Sequence, residues 1–221
     1  MNAIEETIEA LNPDLLPYVE NGHLGPMIRH PLVFAIPLFP GTAAQLNEQL
    51  KYKKEYLAKA ITEKDWVKTI ALIEKPYRIH TTIELGPEMD EKSYWNCVLH
   101  SWTASENIFE VKDVLKVLFQ LPRPLPIWNL MNKDEIIVLE NLPDEIEIYR
   151  GSNQNDYLGW SWTLDRDKAK WFARRWNSEV KILVEGKVKK SKVIAYFDCR
   201  NESEIVTEPE SVHIANSLKW C

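Results

Sequence analysis

The chain has 221 residues, of which 27 are Lys or Arg and 33 are Asp or Glu, so its formal net charge is −6. Hydrophobic residues make up 45% and charged residues 27%, which is typical of a globular protein and excludes collagen, coiled-coil arrays and wholly disordered chains. The length suits one large domain or two small ones. Nine tryptophans are an unusually high number, whereas only seven glycines argue against a glycine-rich phosphate loop.

The sequence carries no signal of a membrane, a secretory or a metal-binding protein. No run of eighteen apolar residues occurs, and the N-terminus MNAIEETIEALNPD is acidic where a signal peptide is basic. We therefore expect a cytoplasmic protein with no membrane contact. Cys97, Cys199 and Cys221 are far apart and form no CxxC pair, which predicts neither disulfides nor a cysteine zinc site. His23 and His30 lack further ligands nearby, so no metal is expected.

Residues 1–142 are predicted to be mainly helical. Helix-forming segments with apolar periodicity cover 43–60, 64–74, 90–103, 107–120 and 134–142. The apolar stretch HPLVFAIPLFPG (30–41) contains three prolines and indicates an extended segment against a core, not a central strand. The aromatic-rich segment 93–109 is explained by core packing together with a helix cap at Ser105. The alternative is that Ser105, Glu106 and Asn107 help to line a functional site formed with the second part of the chain.

From residue 143 the period changes to that of strands. EIEIYRG (145–151) alternates polar and apolar residues. Further strands are predicted at 160–163, 180–188, 192–198 and 203–208. LDRDKAKWFARRW (164–176) is an amphipathic helix with Asp165 as its N-cap. The sequence thus predicts an α+β protein in which a helical accessory region, residues 1–142, packs on a small core, residues 143–221.

Three short motifs in the second part occur in an informative order. They are Tyr149-Arg150-Gly151, Ser161-Trp162-Thr163 and Glu202-Ser203-Glu204. The set resembles the ADP-ribosyltransferase superfamily of the Arg–Ser–Glu type, which has an arginine on its first core strand, a Ser-x-Ser/Thr strand and a later Glu-x-Glu motif. The stretch YRGSNQNDYLGWSWTLDRDKAKWFA is similar to the opening of compact bacterial and phage members. The resemblance covers about residues 145–207 and implies a small split-β-sheet core.

The resemblance implies a transferase that moves ADP-ribose from NAD+, its co-substrate, to a nucleophile on a macromolecule, without a metal. Glu204 matches the catalytic glutamate, which stabilises the positive charge that develops on the ribose as nicotinamide leaves. Glu202 would orient or deprotonate the acceptor. Arg150, with Gly151 after it, would pair with the phosphates of the dinucleotide or support its binding.

The serine motif and nearby aromatic residues would complete the NAD site. Ser161 matches the family serine, whose hydroxyl supports the site around the nicotinamide ribose and the catalytic glutamate, and Thr163 is the second hydroxyl residue of that cofactor-binding motif. Trp160 or Phe172 could stack on the nicotinamide, and core packing is the alternative for each ring. The bulky Trp162 between the two hydroxyl residues is predicted to point the other way, into the core.

One spacing departs from the larger toxin-type relatives. Only eleven positions separate Arg150 from Ser161, where those relatives place a helix and more strands. A hairpin-like connection with Asn153, Asn155 and Gly159 as turn residues fits this spacing, and it is the pattern of the compact members.

The acceptor is left open between a protein arginine and a nucleic-acid base. Paired glutamates often accompany arginine acceptors in the family. Basic residues of the second part leave single-stranded nucleic acid open: Lys168, Lys170, Arg174, Arg175, Lys187, Lys189, Lys190 and Lys192. Compact relatives commonly act as toxins in toxin–antitoxin systems or phage defence, which implies a neutralising protein partner. The alternatives are an NAD glycohydrolase and a non-catalytic module that binds NAD or a partner.

Overall fold

The structure is a computed structural model that describes residues 3–105, 111–120, 131–152, 158–175 and 181–220. Within these ranges the protein is α+β, with eight α-helices and two antiparallel sheets. No helix among the described residues is both long and apolar enough to cross a membrane. The chain divides into two compact units, residues 1–118 and residues 119–221.

The first unit contains a small sheet as well as helices. Strands β1 (Val19–Gly22), β2 (Gly25–His30) and β3 (Val33–Pro37) pair antiparallel in the order β1-β2-β3. The proline-rich segment 30–41 therefore supplies an edge strand, the position in a sheet that tolerates proline. The sequence does not predict the β1–β2 hairpin, because both strands are short and contain glycine or proline.

Some helices of the first unit begin with a side-chain N-cap and others do not. Asp65 and Asp90 cap two of them by accepting hydrogen bonds from the backbone N–H groups of Lys68 (3.2 Å) and Ser93 (3.0 Å). Ser105 follows the last residue of α5, and Glu106 and Asn107 lie outside the described residues. The helices are α1 (Ala3–Glu9), α2 (Ala43–Thr62), α3 (Trp66–Leu72), α4 (Arg78–Leu85), α5 (Glu91–Ala104) and α6 (Lys112–Gln120), which is shared with the second unit.

The second unit is built on a six-stranded antiparallel sheet with the order β7-β8-β5-β4-β6-β9. Its buried side chains include Ile146 and Ile148 of β4, Val184 of β6 and Ile205 of β8. The strands are β4 (Glu145–Ser152), β5 (Ser161–Thr163), β6 (Lys181–Lys189), β7 (Val193–Phe197), β8 (Glu204–Thr207) and β9 (Val212–Trp220).

Two helices belong to the second unit, α7 (Lys133–Asn141) and α8 (Arg166–Arg174). Asp165 caps α8 as predicted, since its Oδ1 accepts hydrogen bonds from the backbone N–H groups of Asp167 (2.8 Å) and Lys168 (3.1 Å). The expected boundary at 142–143 falls inside this unit, at the point where α7 gives way to β4.

Candidate functional site

The order of the sheet brings the three motifs side by side. Strand β5 lies between β4 and β8, so the strand with the serine separates the strand with the arginine from the strand with the glutamate. Thr163 of β5 is in register with Tyr149 of β4 and with Glu204 of β8. This register places Ser161 within hydrogen-bonding distance of both Arg150 and Glu204, although Glu204 is far from it in the sequence.

Hydrogen bonds link Arg150 to the backbone of Ser161 and the side chain of Ser161 to Glu204. The Arg150 guanidinium donates from Nη1 to the carbonyl oxygen of Ser161 at 2.6 Å. The Ser161 hydroxyl donates to Oε1 of Glu204, whose side chain is buried with 4% of its surface exposed. A hydrogen bond to an ionised carboxylate is stronger than one between neutral groups and fixes the direction of the carboxylate.

Thr163 fixes the backbone around Glu202. Its hydroxyl donates to the carbonyl oxygen of Glu202 at 2.6 Å and accepts from the backbone N–H of Asp165 at 3.0 Å. Glu202 lies in the turn before β8 and not on the strand, because Ser203 has a φ of 45°. Thr163 therefore joins the end of β5 to the start of both α8 and the Glu202 turn.

Arg200 is a site residue that the sequence does not reveal. Its Nη2 lies 2.9 Å from Oε2 of Glu202 and 3.4 Å from Oε2 of Glu204. The contact depends on the turn between β7 and β8, where Asn201 and Ser203 both have positive φ angles of 54° and 45°. Sequence patterns do not specify such a turn, and closeness to the Glu-x-Glu motif is the one available signal.

Asp198 stabilises this turn. Its carboxylate accepts a hydrogen bond from the backbone N–H of Ser203 at 2.8 Å, and its carbonyl oxygen accepts from the N–H of Asn201 at 2.8 Å. Left-handed backbone at residues other than glycine costs about 1–3 kcal/mol each, so it persists where neighbouring contacts hold it. The two carboxylates of Glu202 and Glu204 are thus brought to one guanidinium by a constrained turn.

Two glycines allow close approach next to Arg150. A Cβ atom at Gly151 would lie 1.8 Å from the carbonyl oxygen of Ala169, so only glycine lets α8 pack this closely on β4. A Cβ atom at Gly159 would lie 2.5 Å from Cζ of Arg150, so this glycine leaves room for the guanidinium. Binding of a dinucleotide by Gly151 stays a prediction.

The aromatic residues near the motifs have separate packing partners. Trp160 is buried and stacks on Phe119, with ring centroids 5.3 Å apart and an interplanar angle of 24°. Phe172 meets Trp171 edge to face at 5.1 Å. Trp162 is buried as the strand alternation predicts, and its Nε1 donates to the carbonyl oxygen of Gly159 at 2.7 Å.

Stacking of Trp160 or Phe172 on nicotinamide stays a prediction. The predicted turn residues Asn153 and Asn155 lie outside the described residues. Within the described part of the chain, no three or more His, Cys, Asp or Glu side chains lie close enough to hold a metal ion. Cys97 and Cys199 are free thiols, the first buried and the second exposed.

Comparison with protein-family models, with curated proteins and with solved structures found no match to this chain.

Proposed function

We propose that this chain is a mono-ADP-ribosyltransferase that transfers ADP-ribose from NAD+ to a macromolecular acceptor. The observation that carries the proposal is the pair of hydrogen bonds that link Arg150 to the backbone of Ser161 and the side chain of Ser161 to the buried Glu204. These are the arginine, serine and glutamate of the motif resemblance, and they lie on three adjacent strands.

The residues at the site fit NAD+ as a co-substrate. A guanidinium has five N–H donors in a planar fork that matches the oxygens of a phosphate, so an arginine at this position suits a dinucleotide. The buried carboxylate of Glu204, oriented by the Ser161 hydroxyl, can stabilise the positive charge that develops on the ribose as nicotinamide leaves. NAD+ supplies the ADP-ribosyl group on a bond whose leaving group, nicotinamide, departs neutral.

Each residue then has one task. Glu204 accepts a hydrogen bond from the ribose 2′-hydroxyl and stabilises the positive charge that develops on the ribose in the transition state. Ser161 holds the Glu204 carboxylate in that direction. Glu202, whose side chain is one-fifth exposed, faces the acceptor and takes its proton as a general base.

One incubation tests the proposal. The purified chain is mixed with NAD+ labelled in its adenylate, together with cell lysate or total RNA, and nicotinamide release and retained label are measured. We expect both with the wild type and neither with Glu204→Gln. Glu210→Gln, at an exposed glutamate of the same unit, is the matched control and should behave as the wild type.

The other outcomes separate the rival functions. Nicotinamide release without retained label would identify an NAD glycohydrolase, in which water replaces the acceptor. No release with any acceptor would overturn both enzymatic functions and leave a binding module.

The proposed biological setting is a toxin that a partner protein neutralises, in a toxin–antitoxin or phage-defence system. Induced expression of the wild type should then arrest bacterial growth, and the Glu204→Gln variant should not. Normal growth with well-expressed, active wild type would contradict the toxin setting and leave the proposed activity unaffected.

A further inference from the structure

The outer face of helix α8 combines an exposed aromatic ring with positive charge. Trp171 is 54% exposed, although tryptophan is among the residues that gain most from burial. Lys168, Arg174 and Arg175 are three or four positions from Trp171, which places them within one helical turn of it. The Arg175 guanidinium lies 5.7 Å from the centre of the Trp171 ring. We call Lys168, Trp171, Arg174 and Arg175 the α8 face.

Other basic residues of the second unit serve contacts within the fold. Lys190 donates to the carbonyl oxygens of Glu140 (3.0 Å) and Leu142 (2.5 Å) at the end of α7, and Lys187 pairs with Glu145 at 2.8 Å. On α8 itself, Arg166 pairs with Glu185 and Lys170 pairs with Asp167. Trp171, Arg174 and Arg175 are themselves exposed, so the α8 face presents an aromatic ring together with cations at the surface.

We propose that the α8 face binds single-stranded nucleic acid and presents one of its bases to the site as the ADP-ribose acceptor. An exposed tryptophan offers a stacking platform for a base of any identity, and the lysine and arginines around it attract the phosphates of a strand. Phosphate charge is the partner chemistry that this combination fits, since three cations and one carboxylate, that of Asp167, lie within one helical turn of the ring, and the carboxylate is paired with Lys170. The acceptor role rests on the proposed function, whereas the binding does not.

The helix is well placed for this task. It begins three residues after Thr163, and the backbone N–H of Leu164 donates to the carbonyl oxygen of Ser203 at 3.0 Å, so its start lies beside the Glu202 turn. Trp171 lies five residues into the helix, about 8 Å along its axis. A strand held on the α8 face can therefore place a neighbouring base near Glu202 and Glu204.

The transfer step is balanced without a further reactant. A nitrogen of the base forms a bond to C1′ of the ribose as the bond from C1′ to nicotinamide breaks, and nicotinamide leaves neutral with the electron pair of that bond. The proton that the base nitrogen loses passes to Glu202.

Binding is tested without NAD+. A fluorescein-labelled twelve-nucleotide RNA of mixed sequence is titrated with the full chain by fluorescence anisotropy at several salt concentrations. We expect Trp171→Ala to raise Kd about 5- to 150-fold, the loss of one stacked base, and Trp171→Phe to retain most of the affinity. Tyr56→Ala, at a 56% exposed ring on α2, is the matched control.

The charge contribution is tested with a triple variant. Lys168→Gln/Arg174→Gln/Arg175→Gln should reduce the slope of log affinity against log salt by about 2, as for the loss of three phosphate contacts on a single strand. Lys51→Gln/Lys59→Gln/Lys68→Gln removes the same charge from exposed positions of the first unit and should leave the slope unchanged.

Three results would overturn the proposal: equal RNA affinity for Trp171→Ala and wild type, tighter binding of a double-stranded RNA of the same sequence, or label that protease removes and nuclease does not. Absence of nicotinamide release from the wild type is a different failure, since it removes the proposed function while the anisotropy result still decides the α8 face.

Discussion

The Ser161 hydroxyl donates a hydrogen bond to Oε1 of Glu204, although 43 positions separate the two residues in the sequence. The contact is made possible by the antiparallel pairing of β5 with β8, which sets Thr163 opposite Glu204. A carboxylate that is nearly inaccessible to water is thereby given a donor of fixed direction.

The first prediction concerns this contact. Ser161→Ala should lower kcat/KM for nicotinamide release about 10²-fold, because Glu204 loses the donor that sets its direction. Glu204→Gln should lower it about 10³-fold or more, since the charge that faces the ribose is lost. Steady-state nicotinamide release measures both. Ser191→Ala, an exposed serine of the same unit, is the control, and an equal loss in that variant would contradict the assignment.

Arg200 provides the second prediction. Its guanidinium contacts both Glu202 and the buried Glu204, so Arg200→Ala leaves a buried carboxylate without this cation. We expect the free energy of unfolding to fall by about 1–2 kcal/mol, which is less than the about 1.5–3 kcal/mol of a hydrogen bond to a charged group because Arg200 is one-third exposed. Nicotinamide release should fall as well, and Arg200→Lys should restore part of it.

Urea unfolding and nicotinamide release measure the two effects of Arg200. Arg29→Ala removes a surface ion pair with Glu20 and should change stability by less than about 1 kcal/mol. Faster nicotinamide release in Arg200→Ala would show that Arg200 blocks the glutamates and does not position them.

The third prediction tests the packing of α8 on β4. Gly151→Ala places a methyl group 1.8 Å from the carbonyl oxygen of Ala169 and 2.6 Å from the backbone nitrogen of Ala173, so helix and strand have to separate. We expect a loss of about 2–3 kcal/mol in the free energy of unfolding, measured by urea unfolding. In Gly22→Ala the nearest atom is the flexible Sδ of Met27, and a smaller loss is expected. Equal losses of stability in Gly151→Ala and Gly22→Ala would show that the close contact between α8 and β4 does not require glycine.

The fourth prediction concerns acid stability in the first unit. Burial lowers the pKa of His30, whose Nδ1 accepts a hydrogen bond from the backbone N–H of Leu32 at 3.0 Å. The unfolded chain therefore takes up a proton at a higher pH than the folded chain. Stability should fall as pH drops through about 6.5, the ordinary histidine value, toward the lowered pKa of the folded state.

Thermal unfolding between pH 7.5 and pH 5 measures this dependence. His30→Asn keeps an acceptor for the Leu32 N–H and should have a smaller loss of stability on acidification than the wild type. His80→Gln, at an exposed histidine, should match the wild type. The same acid dependence in His30→Asn would assign the effect to another group.

Much of the second unit follows from local patterns. The segments 145–151, 180–188 and 192–198 correspond to β4, β6 and β7. Burial alternates at the start of β4, whereas consecutive side chains are buried in β6 and β7, so there the apolar content is the more reliable signal. Strand β9 is missed, since its exposed Asn216 and Ser217 break the alternation and it lies at the edge of the sheet.

The candidate site divides in the same way. The motif order identifies Arg150, Ser161 and Glu204, because the order of motifs can be read from the sequence alone. Arg200 is not found, because its contact with the glutamates is produced by the left-handed residues Asn201 and Ser203, and amino-acid propensity does not fix that geometry.

The position of β8 between β7 and β5 determines when the candidate site can form during translation. Translation delivers Arg150 and Ser161 first, and β5 remains a short edge strand until residues 204–207 leave the ribosome. Local contacts cannot assemble this centre ahead of time, because its defining pair is a long-range one. Premature termination between Ser161 and Glu204 would therefore release a chain that holds the arginine and the serine but not Glu204, so the proposed activity would appear only in products that extend through Glu204.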